Sequence, residues 1–233
     1  MVEVIYTVNN NLYQLLLASF NHDYCEKKDI SWEEVTLDDI TSKLATGLNP
    51  RKNFALGQGE NFYVTIKNMG NNRIYLDEKC DKVDDDALLK INKRSDLKVG
   101  DCLFSGIGTI GRVHFINEPS TNWNISESVF TLRAADSVSP EFLYLLLLNK
   151  DMQDYANTLA SGSAQKGIRM ADLKKYKLYL PNQKTMDNLT SFWQPIIQNI
   201  KINEKESDYL AVLRDNLLPK LMSGELDVSN INF

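Results

Sequence analysis

The chain is poor in the residues that metal and disulfide chemistry require, with two His and three Cys in 233 residues. Cys25, Cys80 and Cys102 are odd in number, widely spaced and form no CxxC pair. That excludes a disulfide framework and a Cys-based zinc site, and leaves reduced packing residues. His22 and His114 stand at no metal-ligand spacing from each other or from a carboxylate pair, so both are read as structural or surface residues. No run approaches the roughly 18 uncharged apolar residues of a membrane helix. The start, Met1-Val2-Glu3-Val4, has no basic region and no signal-peptide core, so a cytoplasmic chain without a membrane partner is expected. With 11 Gly, 6 Pro, 43% hydrophobic and 24% charged residues, collagenous, disordered and low-complexity classes are excluded too. At about 150 residues per domain, the length fits one large domain or one domain with appendages.

Basic charge is also in short supply. The net charge is −5, which taken alone argues against nucleic acid. The average hides two patches. Asp77 to Asp86 holds six acids against Lys79 and Lys82, whereas Ser161 to Lys177 holds Lys166, Arg169, Lys174, Lys175 and Lys177 against Asp172 alone. Binding responds to the local patch, so an acidic whole is compatible with DNA; two solvated faces of opposite sign are the bland alternative.

Periodicity divides the chain into three regions. Ile5, Val8, Leu12 and Leu15 repeat at 3-4-3 spacing and predict an amphipathic helix within residues 1–22. Residues 31–181 read mostly as short strands: Val35–Leu37, Phe62–Ile66, Arg73–Leu76, Cys102–Phe104, Arg112–Ile116 and Ser128–Leu132 are β-branched or aromatic runs bounded by Gly, Asn and Asp. One helix, Glu141 to Asn157 behind Pro140, interrupts them. The fold class is therefore α+β, one heavily looped, mostly antiparallel domain. In 182–224, Met186, Leu189, Trp193, Ile196, Ile200, Asn203, Ser207, Leu210, Arg214, Leu217 and Leu221 keep an unbroken 3-4 spacing. This predicts a long C-terminal coiled-coil helix of roughly 50 Å, with a local kink at Pro195 and a stop at Gly224, followed by a tail, 225–233. Its seam residues Trp193, Ile196, Ile200, Asn203, Leu210, Leu217 and Leu221 are the candidate dimer or subunit interface; the alternative is a long helix packed on its own domain.

Motifs that imitate catalysis fail on context. Gly106-Ile107-Gly108-Thr109-Ile110-Gly111 matches GxGxxG, but Arg112–Ile116 reads as a second strand where a dinucleotide fold requires a helix. VAIK, HRD and DFG segments are missing, as are GxSxG and a P-loop. A glycine-rich hairpin turn that lets backbone approach closely is the better reading. A non-catalytic binding module without a cofactor is expected.

Several segments, in order, resemble the specificity subunit of type I restriction-modification systems. Ser31-Trp32-Glu33-Glu34-Val35-Thr36-Leu37-Asp38-Asp39-Ile40 looks like the start of a target-recognition domain. Leu97-Lys98-Val99-Gly100-Asp101-Cys102-Leu103-Phe104-Ser105 is similar to its strand ahead of the glycine turn, and Ser161-Gly162-Ser163-Ala164-Gln165-Lys166-Gly167-Ile168 to its GS-x-Q loop. Leu178-Tyr179-Leu180-Pro181 resembles the domain exit, and Leu213-Arg214-Asp215-Asn216-Leu217-Leu218-Pro219-Lys220-Leu221-Met222-Ser223-Gly224-Glu225-Leu226 the helix end. Asn182-Gln183-Lys184-Thr185 departs from the usual P-x-x-E-Q. With one recognition domain, one long helix and an N-terminal helix fragment, the chain resembles a half-size form. The resemblance implies a subunit without catalysis that binds double-stranded DNA and recruits a methyltransferase (modification) subunit and with it a translocating endonuclease (restriction) subunit; the unpaired apolar seam of the long helix predicts that two copies pair as a homodimer. Loop residues suited to phosphates and base edges are Arg51, Lys52 and Asn53; Asn122, Asn124 and Ser126; and Ser163, Gln165, Lys166 and Arg169. A type II-like fused restriction-methyltransferase is an alternative employer of the same role, and a coiled-coil scaffold that binds no DNA is the other.

Overall fold

The computed structural model describes residues 2–70, 72–160 and 166–225. Helix α1 (Val2–Phe20) runs into a wide π-type turn (Asn21–Glu26) and then into strand β1 (Glu33–Thr36). Strands β2 (Thr41–Thr46), β3 (Asn61–Val64), β4 (Met69–Gly70), β5 (Arg73–Ile74) and β6 (Asp81–Val83) follow, with a 3-10 turn at Ile66–Asn68. Next come α2 (Asp85–Ser95), β7 (Cys102–Ser105), β8 (Val113–Phe115), β9 (Trp123–Ile125) and β10 (Val129–Ala134). The chain continues through α3 (Pro140–Leu148), α4 (Lys150–Leu159), α5 (Met170–Leu173), β11 (Lys177–Leu180) and α6 (Gln183–Met222). The strands form a four-stranded sheet β2-β10-β7-β8, a three-stranded sheet β6-β3-β9 and two pairs, β1-β11 and β4-β5. Among the described residues only the β3–β9 pairing is parallel, so the sheet content is mostly antiparallel as expected.

The main core lies where α1, α3 and the first half of α6 meet the four-stranded sheet. Trp193 is its centre, fully buried, with Phe20 at 5.6 Å and Phe142 at 6.5 Å between ring centroids. Its indole N–H donates to Ser19 Oγ at 3.1 Å, which satisfies the one polar atom the ring carries inward. The glycine motif is the hairpin turn between antiparallel β7 and β8.

Several expectations need correction. The predicted helix Glu141–Asn157 is two helices, because Asn149 takes an extended conformation. Its side-chain oxygen accepts from Asp151 N at 2.9 Å and its amide donates to Asn21 Oδ1 at 2.8 Å. A short polar side chain that caps one helix thereby stops the other. The acidic run is the start of an unforeseen helix: Asp84 accepts from Ala87 N at 2.8 Å at the N-cap of α2, and Asp85 and Asp86 lie in its positive first turn. The buried face of α1 is Asn9, Leu16 and Phe20, one residue round from the predicted stripe, of which Val8 and Leu15 stay largely exposed. Of the cysteines, Cys80 and Cys102 are buried but Cys25 is exposed. Helix α6 runs unbroken through Pro195, whose ring stands on the exposed side, and closes at Ser223 with Gly224 at φ +73°. The seam divides in two. Trp193 and Ile200 are buried in this chain's own core with Ile196 packed beside them, and Asn203 donates to Asn9 Oδ1 at 2.8 Å. These four are spent within the chain, because α1 and α3 reach them first. Leu217 and Leu221 remain exposed and Leu210 half-buried.

Polar contacts hold the sheet domain against α6. Arg73 pairs with Asp208 and Lys205 with Glu118, each at 2.5 Å, and buried Lys201 donates to Asn72 O at 3.5 Å while pairing within α6 with Glu204 at 3.0 Å. Burial pushes the Lys201 ammonium below the usual lysine range.

Candidate nucleic-acid interface

Strand register gathers the loops. Thr46 pairs with Phe130, Ser105 with Val129 and Val113 with Phe104, so the end of β2, the start of β10, the end of β7 and the start of β8 share one edge of the four-stranded sheet. Three connections leave from that edge: 47–60, 126–128 and the glycine turn 106–112. Strand β9 enters it beside β3, and Ser126 N donates to Val64 O at 2.8 Å, which brings in the 3-10 turn Ile66–Asn68.

Each connection is braced. Glu127 links two loops: Asn49 donates to its Oε1 at 2.6 Å and the Tyr63 hydroxyl to its Oε2 at 3.1 Å. The same hydroxyl lies 2.8 Å from Leu48 O, so its one proton is shared between the two acceptors. Burial, then the neighbouring Glu127 charge, push the Tyr63 hydroxyl far above its ordinary value, so it stays a donor. Asn53 closes a turn on Pro50, with N to O at 2.6 Å, which leaves Arg51 and Lys52 exposed at the tip. The glycine turn supports the chain segment after residue 165. Gly108 N donates to Lys166 O at 2.7 Å and Ile168 N to Gly106 O at 2.9 Å. Glycine is required three times there: a Cβ on Gly106 would lie 2.2 Å from the Phe130 ring, and Gly108 and Gly111 have φ +85° and +89°. Arg112 joins the 3-10 turn to the glycine turn by donating to the carbonyls of Ile66 (2.7 Å) and Met69.

The structure thus brings Arg51, Lys52, Asn53, Lys166 and Arg169 to one end of the sheet, all exposed. It adds Lys67, on the 3-10 turn and exposed, which sequence reasoning missed because nothing in its own segment distinguishes it. Among the described residues, no carboxylate lies within 4.0 Å of Arg51, Lys52, Lys67, Lys166 or Arg169. The rest of the predicted basic patch is neutralised: Lys174 pairs with Asp38 (2.6 Å), Lys175 with Asp172 (2.8 Å) and Lys177 with Glu34 (2.5 Å). Two nominated residues are withdrawn inward. Asn124 is fully buried, accepts from Ser95 Oγ at 2.7 Å and donates to Asn92; Ser126 is buried against Ser128 Oγ at 2.6 Å. Asn122 is exposed but sits at the other end of β9, away from the cluster. Ser163 and Gln165 lie outside the described residues.

Unpaired guanidinium and ammonium groups on braced loops can bind phosphates, and the fixed backbone between them can hold polar groups at base edges. Among the described residues, no three or more His, Cys, Asp or Glu side chains gather to hold a metal ion, and no helix is long and apolar enough to cross a membrane.

The family model for the type I restriction modification DNA specificity domain matches residues 29–212, and the chain belongs to that family. It is 25% identical over 199 residues to the type I restriction enzyme HindI specificity subunit of Haemophilus influenzae, covering 84% of this chain and 42% of that protein. It is 20% identical over 251 residues to the MjaVIII specificity subunit of Methanocaldococcus jannaschii, covering 100% of this chain and 56% of that protein. The fold is similar to the HsdS subunit of Thermoanaerobacter tengcongensis, with TM-score 0.53 and 16% identity over 97% of this chain and 54% of that one. It is also similar to the type I S subunit of M. genitalium, with TM-score 0.50 and 21% identity over 84% and 47% of the two chains. The chain spans about half the length of the relatives it matches.

Proposed function

We propose that this chain reads DNA sequence for a type I restriction-modification enzyme. The observation that carries the reading is the convergence of Arg51, Lys52, Lys67, Lys166 and Arg169, none of them ion-paired among the described residues, on braced loops at one sheet edge. In this reading the cations grip phosphates of double-stranded DNA, and side chains of the same loops meet base edges in the groove between. The chain supplies no catalysis and no cofactor. It works in the cytoplasm, brings a methyltransferase subunit to its target, and with it a translocating endonuclease subunit. Two copies pair through the exposed half of α6 and carry one recognition domain at each end. A two-fold protein reads a two-fold site, so the target is a split inverted repeat whose spacer follows from the rod length. Methylome sequencing of cells expressing this chain with its methyltransferase subunit tests this. The expected result is one bipartite, inverted-repeat motif; an asymmetric motif overturns the paired model, and the absence of any chain-dependent motif overturns DNA reading itself.

A further inference from the structure

The short connection 126–128 carries one acid, Glu127, and it touches each of the loops that bear the clustered cations. Ser126 N donates to Val64 O at 2.8 Å, beside the 3-10 turn with Lys67, and Gly106 N donates to Ser128 O at 2.9 Å, on the glycine turn that holds Lys166. Asn49, two residues before Arg51, donates to Glu127 Oε1 at 2.6 Å. A carboxylate therefore stands in the middle of a cationic edge. Among the described residues it nevertheless forms no ion pair with any of those cations.

Neutral donors hold it instead. The Asn49 amide takes Oε1, and the hydroxyl of buried Tyr63 lies 3.1 Å from Oε2, so both oxygens are oriented and neither is neutralised. Each carboxylate oxygen keeps a further acceptor site, and Glu127 is only half-buried. Asn49 shows that this orientation is imposed. Its amide nitrogen faces Glu127 although its Oδ1 is then buried without a partner among the described residues; the opposite turn would set oxygen against carboxylate. A buried polar atom left unpaired calls for a reason beyond stability.

On a DNA-binding edge, an unneutralised carboxylate is repelled by the phosphates and fits only between their rows, where the base edges lie. It accepts hydrogen bonds and donates none, so it can hold an amino group but not the N7, O6 or O4 atoms of the major groove. Adenine flanks its N6 amino group with two acceptors, its own N7 and the O4 of the paired thymine. Cytosine has an acceptor, the O6 of guanine, on one side of its N4 amino group only. We propose that Glu127 is a specificity-determining residue that accepts a hydrogen bond from the N4 amino group of a cytosine, with Asn49 and Tyr63 as its positioning residues. This rests on the DNA reading proposed above and names one group that reads.

Methylomes written by the wild-type chain and by Glu127→Gln, each with the methyltransferase subunit, test the assignment position by position. Gln sets a donor where Glu set an acceptor, so the preference for one cytosine is expected to relax while the other bases of the motif are kept. A duplex with 2-pyrimidinone, which lacks the amino group, in place of that cytosine should bind the assembled wild-type methyltransferase about tenfold more weakly. The loss should be smaller in Glu127→Gln, the sign of a direct pair. Tyr63→Phe, which removes a buried donor and nothing that DNA can reach, should blunt discrimination at the same position alone. An unchanged motif in Glu127→Gln, or a loss of affinity shared equally by every base change, makes Glu127 a loop brace and overturns the readout. Relaxation at an A·T pair overturns the assignment to cytosine. Should Glu127→Gln fail to fold, a wild-type complex indifferent to 2-pyrimidinone at every cytosine of its motif overturns it as well. A wild-type chain that directs no motif at all removes the DNA reading itself, a failure separate from these.

Discussion

At the scale of single residues, pairing decides what a charge can do. Lys174, Lys175 and Lys177 contribute to the basic count of their segment, yet each faces a carboxylate. Lys166 and Arg169 do not, and they sit on the glycine turn side of the cluster. Changing both to Ala should reduce the slope of log affinity against log salt by about 1 for each phosphate left without its cation, measured on the assembled methyltransferase. The matching change of Lys174 and Lys175 should leave the slope unaltered. His114 gives a prediction of a different kind. Burial, followed by the nearby Lys201 and Arg73 charges, holds its imidazole well below the usual histidine value, and these outweigh a hydrogen bond to the Asn72 backbone. A depressed histidine stabilises the fold fully above its unfolded value near 6.5, and that contribution is lost as pH falls from there toward the folded value. Unfolding free energies from urea titrations between pH 8 and pH 5 should therefore fall more steeply in the wild type than in His114→Phe, by up to about 1.4 kcal/mol per pH unit. Parallel profiles would show that His114 takes up no proton on unfolding.

At the scale of elements, legibility followed whether the signal was local. Helix α6 was readable because eight of its eleven 3-4 positions are apolar over five heptads, and the strands β3, β7, β8 and β10 because their residues are β-branched or aromatic. Strand β2, Thr-Ser-Lys-Leu-Ala-Thr, had no such apolar run, and β9, Trp-Asn-Ile, is too short for its alternation to stand out; each is held by hydrogen bonds from a neighbour, β10 or β3. Helix α2 was concealed because its capping aspartates read as a charged run. Its mean polarity is high and only Ala87, Leu88 and Ile91 of its apolar side chains turn inward. The cap gives a direct check: Asp84→Ala should lower stability by about 1 kcal/mol in urea unfolding, whereas Asp84→Asn, which keeps the acceptor, should recover most of it. Equal losses in the two variants would assign the effect to charge near the helix dipole rather than to the hydrogen bond.

At the scale of the whole molecule, the long helix performs two separate tasks. Its first half completes the core through Trp193, Ile197 and Ile200, and its second half extends an apolar seam to solvent. If two copies pair as proposed above, Leu210→Glu combined with Leu217→Glu should leave the fold intact by circular dichroism, give monomers in light scattering, and abolish methylation of the expected bipartite motif. The same pair of charges at Trp193 and Ile200 would unfold the domain, because those side chains are buried among aromatic rings. The sequence by itself determined what is written in local period and composition: an α+β chain, a hairpin at the glycines, a heptad helix ending near Gly224, and loops rich in basic and small polar side chains. These follow from neighbours within a few residues, where backbone geometry and side-chain spacing act directly. Only the tertiary structure decided which of those loops meet, which cations stay unpaired, and which half of the seam remains open. Each depends on contacts between residues far apart in the chain, such as Lys174 with Asp38, Glu127 with Asn49 and Asn203 with Asn9. Such pairs are set by strand register and helix packing, and no window of sequence contains both partners.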